Sequence, residues 1–245
     1  MPDSLGDRMK GYEGLPESTL MPRTPVVIRV DGKAFHTLTR SMERPWDDRL
    51  VKCMWETAQH LAEHIAGCKL AYVQSDEISL LLTDWDTYNT QPWFVYRVQK
   101  ATSIAASMTT AAFTRAFLRE FDGTKFTTRL PMFDARMWNV PQHEVNNYFL
   151  WRQQDASRNS VQMLARAHFS HSECHKKNNA HLQEMLFSKH GINWNDTPTA
   201  MKRGACVVKD AEGGWKLDTE IPIFSQDRTY IEGRMPEMFW KETST

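Results

Sequence analysis

The chain has 245 residues, of which 41% are hydrophobic and 24% charged, with 30 basic residues balancing 30 acidic ones. That composition excludes a disordered or fibrous chain and suits one large domain, or a core with a substantial extension. Zero net charge removes any whole-molecule attraction to nucleic acid, so an RNA or DNA contact has to come from a local patch.

Four cysteines, Cys53, Cys68, Cys174 and Cys206, form no CxxC pair, which fits free thiols in a reducing compartment. The N-terminus shows no basic-then-apolar signal segment. No apolar run approaches the ~20 residues needed to cross a bilayer. The expected location is cytoplasmic.

Residues 1–24 are polar and rich in Gly and Pro, and read as an irregular N-terminal arm. A β-branched run, Val26 to Val30, predicts a buried strand that stops at Asp31-Gly32. A helix follows from an N-cap at Asp47, with Val51, Met54, Trp55, Ala58, Leu61, Ala62 and Ile65 at helical spacing and Gly67 as its stop. Leu70–Val73 and Ile78–Leu82 then predict two strands of a hairpin whose turn, Gln74-Ser75-Asp76-Glu77, carries two acids. A second long helix over about 97–118 and a weaker strand near 130–140 complete the series. The order is βαββαβ, the ferredoxin-like pattern of an α+β protein, over residues 25–141. Residues 142–245 read as a mainly helical extension, a basic loop with a short strand at 205–208, and a C-terminal tail packed on the core.

This topology sets the first and third strands side by side and antiparallel. Asp31 ends the first, and Asp76 and Glu77 begin the third, so residues 45 apart in sequence converge. Carboxylates forced together raise one another's pKa unless a cation lies between them. Hard oxygen ligands with open positions suit Mg²⁺, which also takes phosphate oxygens, and this is the chemistry of phosphoryl transfer. Gly32 lets a phosphate approach the backbone and offers its carbonyl. Lys33 and His36 follow where phosphates and a base would be held. Read locally, Asp-Gly and Ser-Asp-Glu are ordinary turn sequences; the convergence is what raises them to a site.

Arg97 and Lys100 open the second long helix, an unfavourable end for cations, and are candidates for triphosphate oxygens. Arg136, Arg152, Arg158, Lys202 and Arg203 are candidates for RNA phosphates, arginine's fork matching phosphate geometry, and Asn159 for positioning a substrate end. His171, Cys174 and His175 share a helical face at a spacing zinc accepts, although a fourth ligand is missing and an ordinary face is the simpler reading.

An ordered set of segments carries a family resemblance: Val27 to His36, Val73 to Ser79, Phe133 to Arg136, Trp151 to Asp155, Met185 to Ser188, Gly191 to Asn195 and Lys202 to Gly204. Together they resemble the tRNA-His guanylyltransferase family over roughly residues 20–210. The resemblance implies a polymerase-type palm that adds nucleotides to tRNA 5′ ends in the 3′-to-5′ direction. It implies two Mg²⁺ ions held by Asp31, Asp76 and the Gly32 carbonyl, with Glu77 as a further catalytic acid. Nucleotide contacts then fall on Gly32, Lys33, Ala34, Phe35, His36 and Ser75. ATP activates the RNA end, GTP is the usual incoming nucleotide, and the assembly is a homo-tetramer. Ser157-Arg158-Asn159-Ser160 departs from the eukaryotic His-Ile-Asn-Asn and is similar to the bacterial and archaeal guanylyltransferase-like proteins. Templated repair of 5′-truncated tRNA is therefore expected over dedicated G addition to tRNA-His. A nucleotide cyclase or forward polymerase using the same acids, and a catalytically silent RNA-binding protein, are the alternatives.

Overall fold

The computed structural model describes residues 4–237. Helices α1 (Leu5–Gly14), α2 (Phe35–Leu38), α3 (Asp48–His64), α4 (Val98–Glu120), α5 (Val145–His168), α6 (His171–Cys174), α7 (Asn179–His190), α8 (Thr199–Arg203) and α9 (Thr229–Glu232) surround one sheet. Its strands are β1 (Val26–Gly32), β2 (Cys68–Gln74), β3 (Glu77–Leu82), β4 (Phe133–Asn139), β5 (Ala205–Lys209) and β6 (Trp215–Asp218), all antiparallel in the order β4-β1-β3-β2-β5-β6. The βαββαβ order expected from the sequence occupies the first four places, and the extension adds β5 and β6 at the β2 edge.

Strand alternation explains the layers. Val26, Ile28 and Val30 face α3 and α4, with Ala71, Val73, Ile78 and Leu80 beside them. Val27, Leu70, Tyr72 and Leu81 face the other way, against Val145 and Phe149 of α5. Because both faces are covered, β3 is buried throughout. On the α3/α4 side Phe35, Phe113 and Phe133 meet with ring centroids 5.0–5.4 Å apart. Removing one such ring costs about 3–5 kcal/mol.

α3 begins at the expected cap: the Asp47 carboxylate accepts the Arg49 N–H at 3.1 Å. α4 runs antiparallel to α3, since Lys52 meets Glu120 at 3.0 Å and Glu56 meets Arg119 at 2.6 Å. α5 packs on the sheet through its first half. Its second half, with Val161, Leu164 and Ala165, packs on Leu182, Met185 and Leu186 of α7.

Two expectations need correction. The supposedly irregular arm holds α1, whose residues are all exposed and whose Ser4 side chain accepts the Asp7 N–H as a cap. The hairpin β5–β6 extends the sheet where only one short strand was expected. The C-terminal tail is described only to residue 237, and residues 238–245 of the expected packed tail lie outside the described residues. All four cysteines are free thiols, three of them buried. No helix among the described residues is long and apolar enough to cross a membrane.

Candidate active site

Asp31 pairs with Glu77 on β3 and with Asp134 on β4. The two-residue turn Ser75-Asp76 is tied to the end of β1, because the Gly32 N–H donates to the Asp76 carbonyl at 3.1 Å. Asp31 and Asp76 are thus brought together at one end of the sheet by hydrogen bonds that belong to the fold itself. Asp76 shows the cost. Burial pushes its carboxyl up to about 6, the negative charges of Asp31 and Glu77 add to the rise, and hydrogen bonds from its own backbone and the Ser75 hydroxyl (3.0 Å) oppose it.

Gly32 is required by packing. A Cβ there would lie 2.3 Å from the Phe35 ring, which is folded under the loop and buried. Ala34 (φ 55°) and Ser75 (φ 52°) both take the left-handed conformation, costly for residues with a Cβ, beside the two acids. Ala34 also turns the chain into α2, whose first N–H groups have no partner within the helix.

A cleft of about 680 Å³ opens beside this point. Gly32, Ala34, Phe35, His36, Ser75 and Asp76 line one side, the 39–47 segment and the start of α3 another, and Asn159, Met163 and Arg166 of α5 a third. Its size suits a nucleotide. Arg40, Arg44 and Trp46 are lining residues that sequence reasoning did not assign to a site, because the 39–47 segment has no periodicity to read, and Arg166 of α5 is a further one. Lys33 is exposed at the rim, its N–H bonded to the Met132 carbonyl at 2.8 Å.

Glu77 differs from the other two acids. It is buried, and both its oxygens are held by Arg152 of α5, at 2.8 and 2.6 Å. Arg152 also reaches Asp155 at 3.2 Å. Burial works against the Arg152 charge, and its hydrogen bond and ion pair with Glu77, together with the nearby Asp155 charge, more than offset it. The expectation that Arg152 touches RNA phosphate is therefore corrected: its side chain is 9% exposed and already bound to carboxylates.

Arg97 and Lys100 are corrected as well. Thr110 of α4 is level with the site end of the sheet, since its hydroxyl accepts the N–H of Phe133, the residue paired with Gly32. Arg97 lies 13 residues earlier, roughly 20 Å back along the helix, at the opposite end. It pairs with Glu17 at 3.1 Å, and the Lys100 ammonium sits 4.9 Å from the Phe94 ring centre. Within one chain neither reaches Asp31.

The remaining basic candidates scatter. Arg136 is exposed and bonded to Asp134, Arg158 is bonded to Asp155, and the Lys202 ammonium donates to the Asn195 carbonyl. Arg203 is half-buried and gives its carbonyl to the Tyr72 hydroxyl at 2.7 Å. Asn159 bonds Asp155 at 3.3 Å and lines the cleft. His171 and His175 stand 5.9 Å apart ring to ring, but no group of three or more His, Cys, Asp or Glu side chains that could hold a metal ion occurs among the described residues. That finding leaves the zinc reading without support. It also narrows any cation site beside Asp31 to two carboxylates plus backbone.

Comparison with known proteins points to one family. The family model described as "Thg1: tRNAHis guanylyltransferase" matches residues 6–141. A curated tRNA(His) guanylyltransferase of Schizosaccharomyces pombe is 30% identical, covering 86% of this chain and 82% of its own. A bacterial tRNA(His) guanylyltransferase (Thg1)-like protein solved in complex with ATP superimposes with a TM-score of 0.89 at 44% identity, over 94% of this chain and 99% of its own. A Thg1-like structure in complex with GTP gives 0.81 at 42% identity, over the same shares.

Proposed function

This chain belongs to the tRNA(His) guanylyltransferase family, a family of nucleotidyltransferases, and we propose that it adds nucleotides to the 5′ end of tRNA in the 3′-to-5′ direction, most specifically as template-directed repair of shortened 5′ ends. The observation that carries this reading is the meeting of Asp31 and Asp76 at the mouth of a nucleotide-sized cleft. The relatives solved with ATP and with GTP support nucleoside triphosphates as the occupants.

The donor set fits Mg²⁺. Asp31 and Asp76 would supply two hard oxygen ligands and the Gly32 carbonyl a third, and the raised Asp76 carboxyl marks a place where negative charge lacks compensation. Bound there, Mg²⁺ ions would increase the acidity of an attacking hydroxyl and neutralise charge on the phosphates. The chain's own residues do the rest. Asp31 and Asp76 would hold, at the sheet edge, the cation that positions the reacting phosphate. Gly32 to His36, with Ser75, hold the triphosphate, and the cleft walls exclude water from it. Glu77, held by Arg152, anchors the turn that carries Asp76. The sequence of bonds follows the family resemblance. A 5′-phosphate oxygen of the RNA attacks the α-phosphate of ATP and releases pyrophosphate. The 3′-hydroxyl of the incoming nucleotide then attacks the activated 5′-phosphate and releases AMP.

G addition to tRNA-His is the second reading, favoured by the names of the eukaryotic relatives. Repair is favoured by the higher identity to the bacterial Thg1-like protein and by Ser157-Arg158-Asn159-Ser160. Incubating the protein with Mg²⁺, ATP and a 5′-truncated tRNA, with each of the four nucleotides in turn, separates them. Incorporation that follows the template base supports repair, G alone regardless of template supports the second reading, and no lengthening with a monophosphate or triphosphate end removes both. We place the enzyme in the cytoplasm as a homo-tetramer, which size-exclusion chromatography with light scattering tests.

A further inference from the structure

Beside Asp31 the sheet has an open shelf that the cleft does not include. Residues directly opposite on neighbouring strands share a face. Asp31 and Asp134 are such a pair, as are Arg29 and Arg136, and Trp138 continues the row along β4. The Arg29 guanidinium lies 6.0 Å from the Trp138 ring centre. Trp138 meets Tyr148 at 5.6 Å, and Tyr148 meets Trp151 at 6.0 Å.

Trp151 is unusual in this row. It is 53% exposed, the only tryptophan among the described residues that is an exposed large hydrophobic. It is also held firmly. The Arg152 guanidinium lies 4.6 Å from its ring centre, and that guanidinium is bonded to buried Glu77, the Cα partner of Asp31. Tyr148 is fixed in turn by a 2.8 Å bond to the Ser79 hydroxyl. A large apolar ring that is rigid, half open to water and coupled through one ion pair to the catalytic acids stabilises nothing by its exposure. It does suit a flat apolar ligand with an anionic backbone, which Arg29 and Arg136 would meet.

We propose that Trp151 is a stacking platform for the terminal base at the RNA 5′ end, with Arg136 and Arg29 beside it for the adjoining phosphate. This rests on the polymerase reading above and adds where the RNA end lies, on the side of Asp31 away from the nucleotide cleft. Stacking on an aromatic side chain depends little on base identity, as an enzyme that extends varied 5′ ends requires.

The test is equilibrium binding of a tRNA acceptor hairpin labelled at its 3′ end, read by fluorescence anisotropy. Wild type, Trp151→Ala and Trp151→Phe are compared on a normal hairpin and on one whose 5′-terminal nucleotide is abasic. The expected result is a Kd about 5- to 100-fold weaker for Trp151→Ala, with most of the affinity kept by Trp151→Phe. Removing the base should weaken wild type by a similar factor and leave Trp151→Ala unchanged. Equal weakening of wild type and Trp151→Ala by base removal, or an unchanged Kd in Trp151→Ala, overturns the platform. RNA that binds through Trp151 but is never lengthened supports the platform and removes the polymerase reading. Absence of any RNA binding by wild type overturns both.

Discussion

Arg152→Ala is the sharpest probe of how the site is held. The Arg152 and Glu77 side chains are 9% and 8% exposed and share two bonds of 2.8 and 2.6 Å. Removing one partner of such a pair strands a buried charge, which costs about 3–5 kcal/mol, whereas replacing both together is often close to neutral. In a domain of this length, 1 kcal/mol moves the melting temperature by about 2–4 °C, so Arg152→Ala should melt roughly 6–20 °C lower. Adding Glu77→Gln removes the stranded charge and should recover a large part of that loss. Thermal and urea melts of the two single variants and the double variant give the coupling directly. A melting temperature within 2–3 °C of wild type for Arg152→Ala, or a double variant no more stable than Arg152→Ala, would refute the claim that Glu77 is an anchored, charge-compensated residue.

Asp31→Asn and Asp76→Asn should each abolish 5′ extension while leaving a cooperative melt, and full activity in either would remove that residue from the metal set. The Asp76 carboxyl, pushed up from 3.8 to about 6, binds its proton more tightly in the folded state, so the metal-free protein should lose stability as pH rises from about 4 to about 6 and level off above that. The size is on the order of 2–3 kcal/mol. In EDTA, melting against pH should show this slope in wild type and lose it in Asp76→Asn, and Mg²⁺ at pH 7.5 should raise the wild-type melting temperature. Gly204→Ala should destabilise by about 2 kcal/mol or more, because Gly204 sits at φ 86°, ψ −177° and a Cβ would lie 2.5 Å from the Val73 carbonyl oxygen. A melt unchanged by that substitution would show that the backbone there relaxes freely.

The sequence was most legible where periodicity and strand order do the work. The β-branched run at 26–30, the Asp47 cap and the acidic hairpin turn all read directly, and antiparallel neighbours turned them into a convergent pair. The direction of α4 was equally implied by the topology: a helix leaving the far end of β3 must begin there, which places Arg97 away from Asp31. Sequence reasoning named the residues and missed that consequence. Arg152 also left a usable signal, since it falls in the buried stripe Val145, Phe149, Arg152 and Ala156, and a charge inside an apolar stripe implies a buried partner. α1 left none. It buries nothing and has three glycines, so its helix rests on local capping that a composition reading passes over. The 39–47 wall of the cleft is irregular chain whose path is fixed by tertiary contacts, and no local pattern encodes it.

The family model ends at residue 141, and α5 starts at Val145. Yet α5 carries the guanidinium that makes Glu77 tolerable beside Asp31, and the apolar residues that cover one face of the sheet. An apparent boundary in the chain therefore divides a single electrostatic unit. A gene fragment encoding the first part alone would translate an acidic cluster with no counter-charge and a sheet with one bare side. The two stretches have to be inherited together, and any chimera made by exchanging extensions between relatives must keep the acid and its arginine matched across the join.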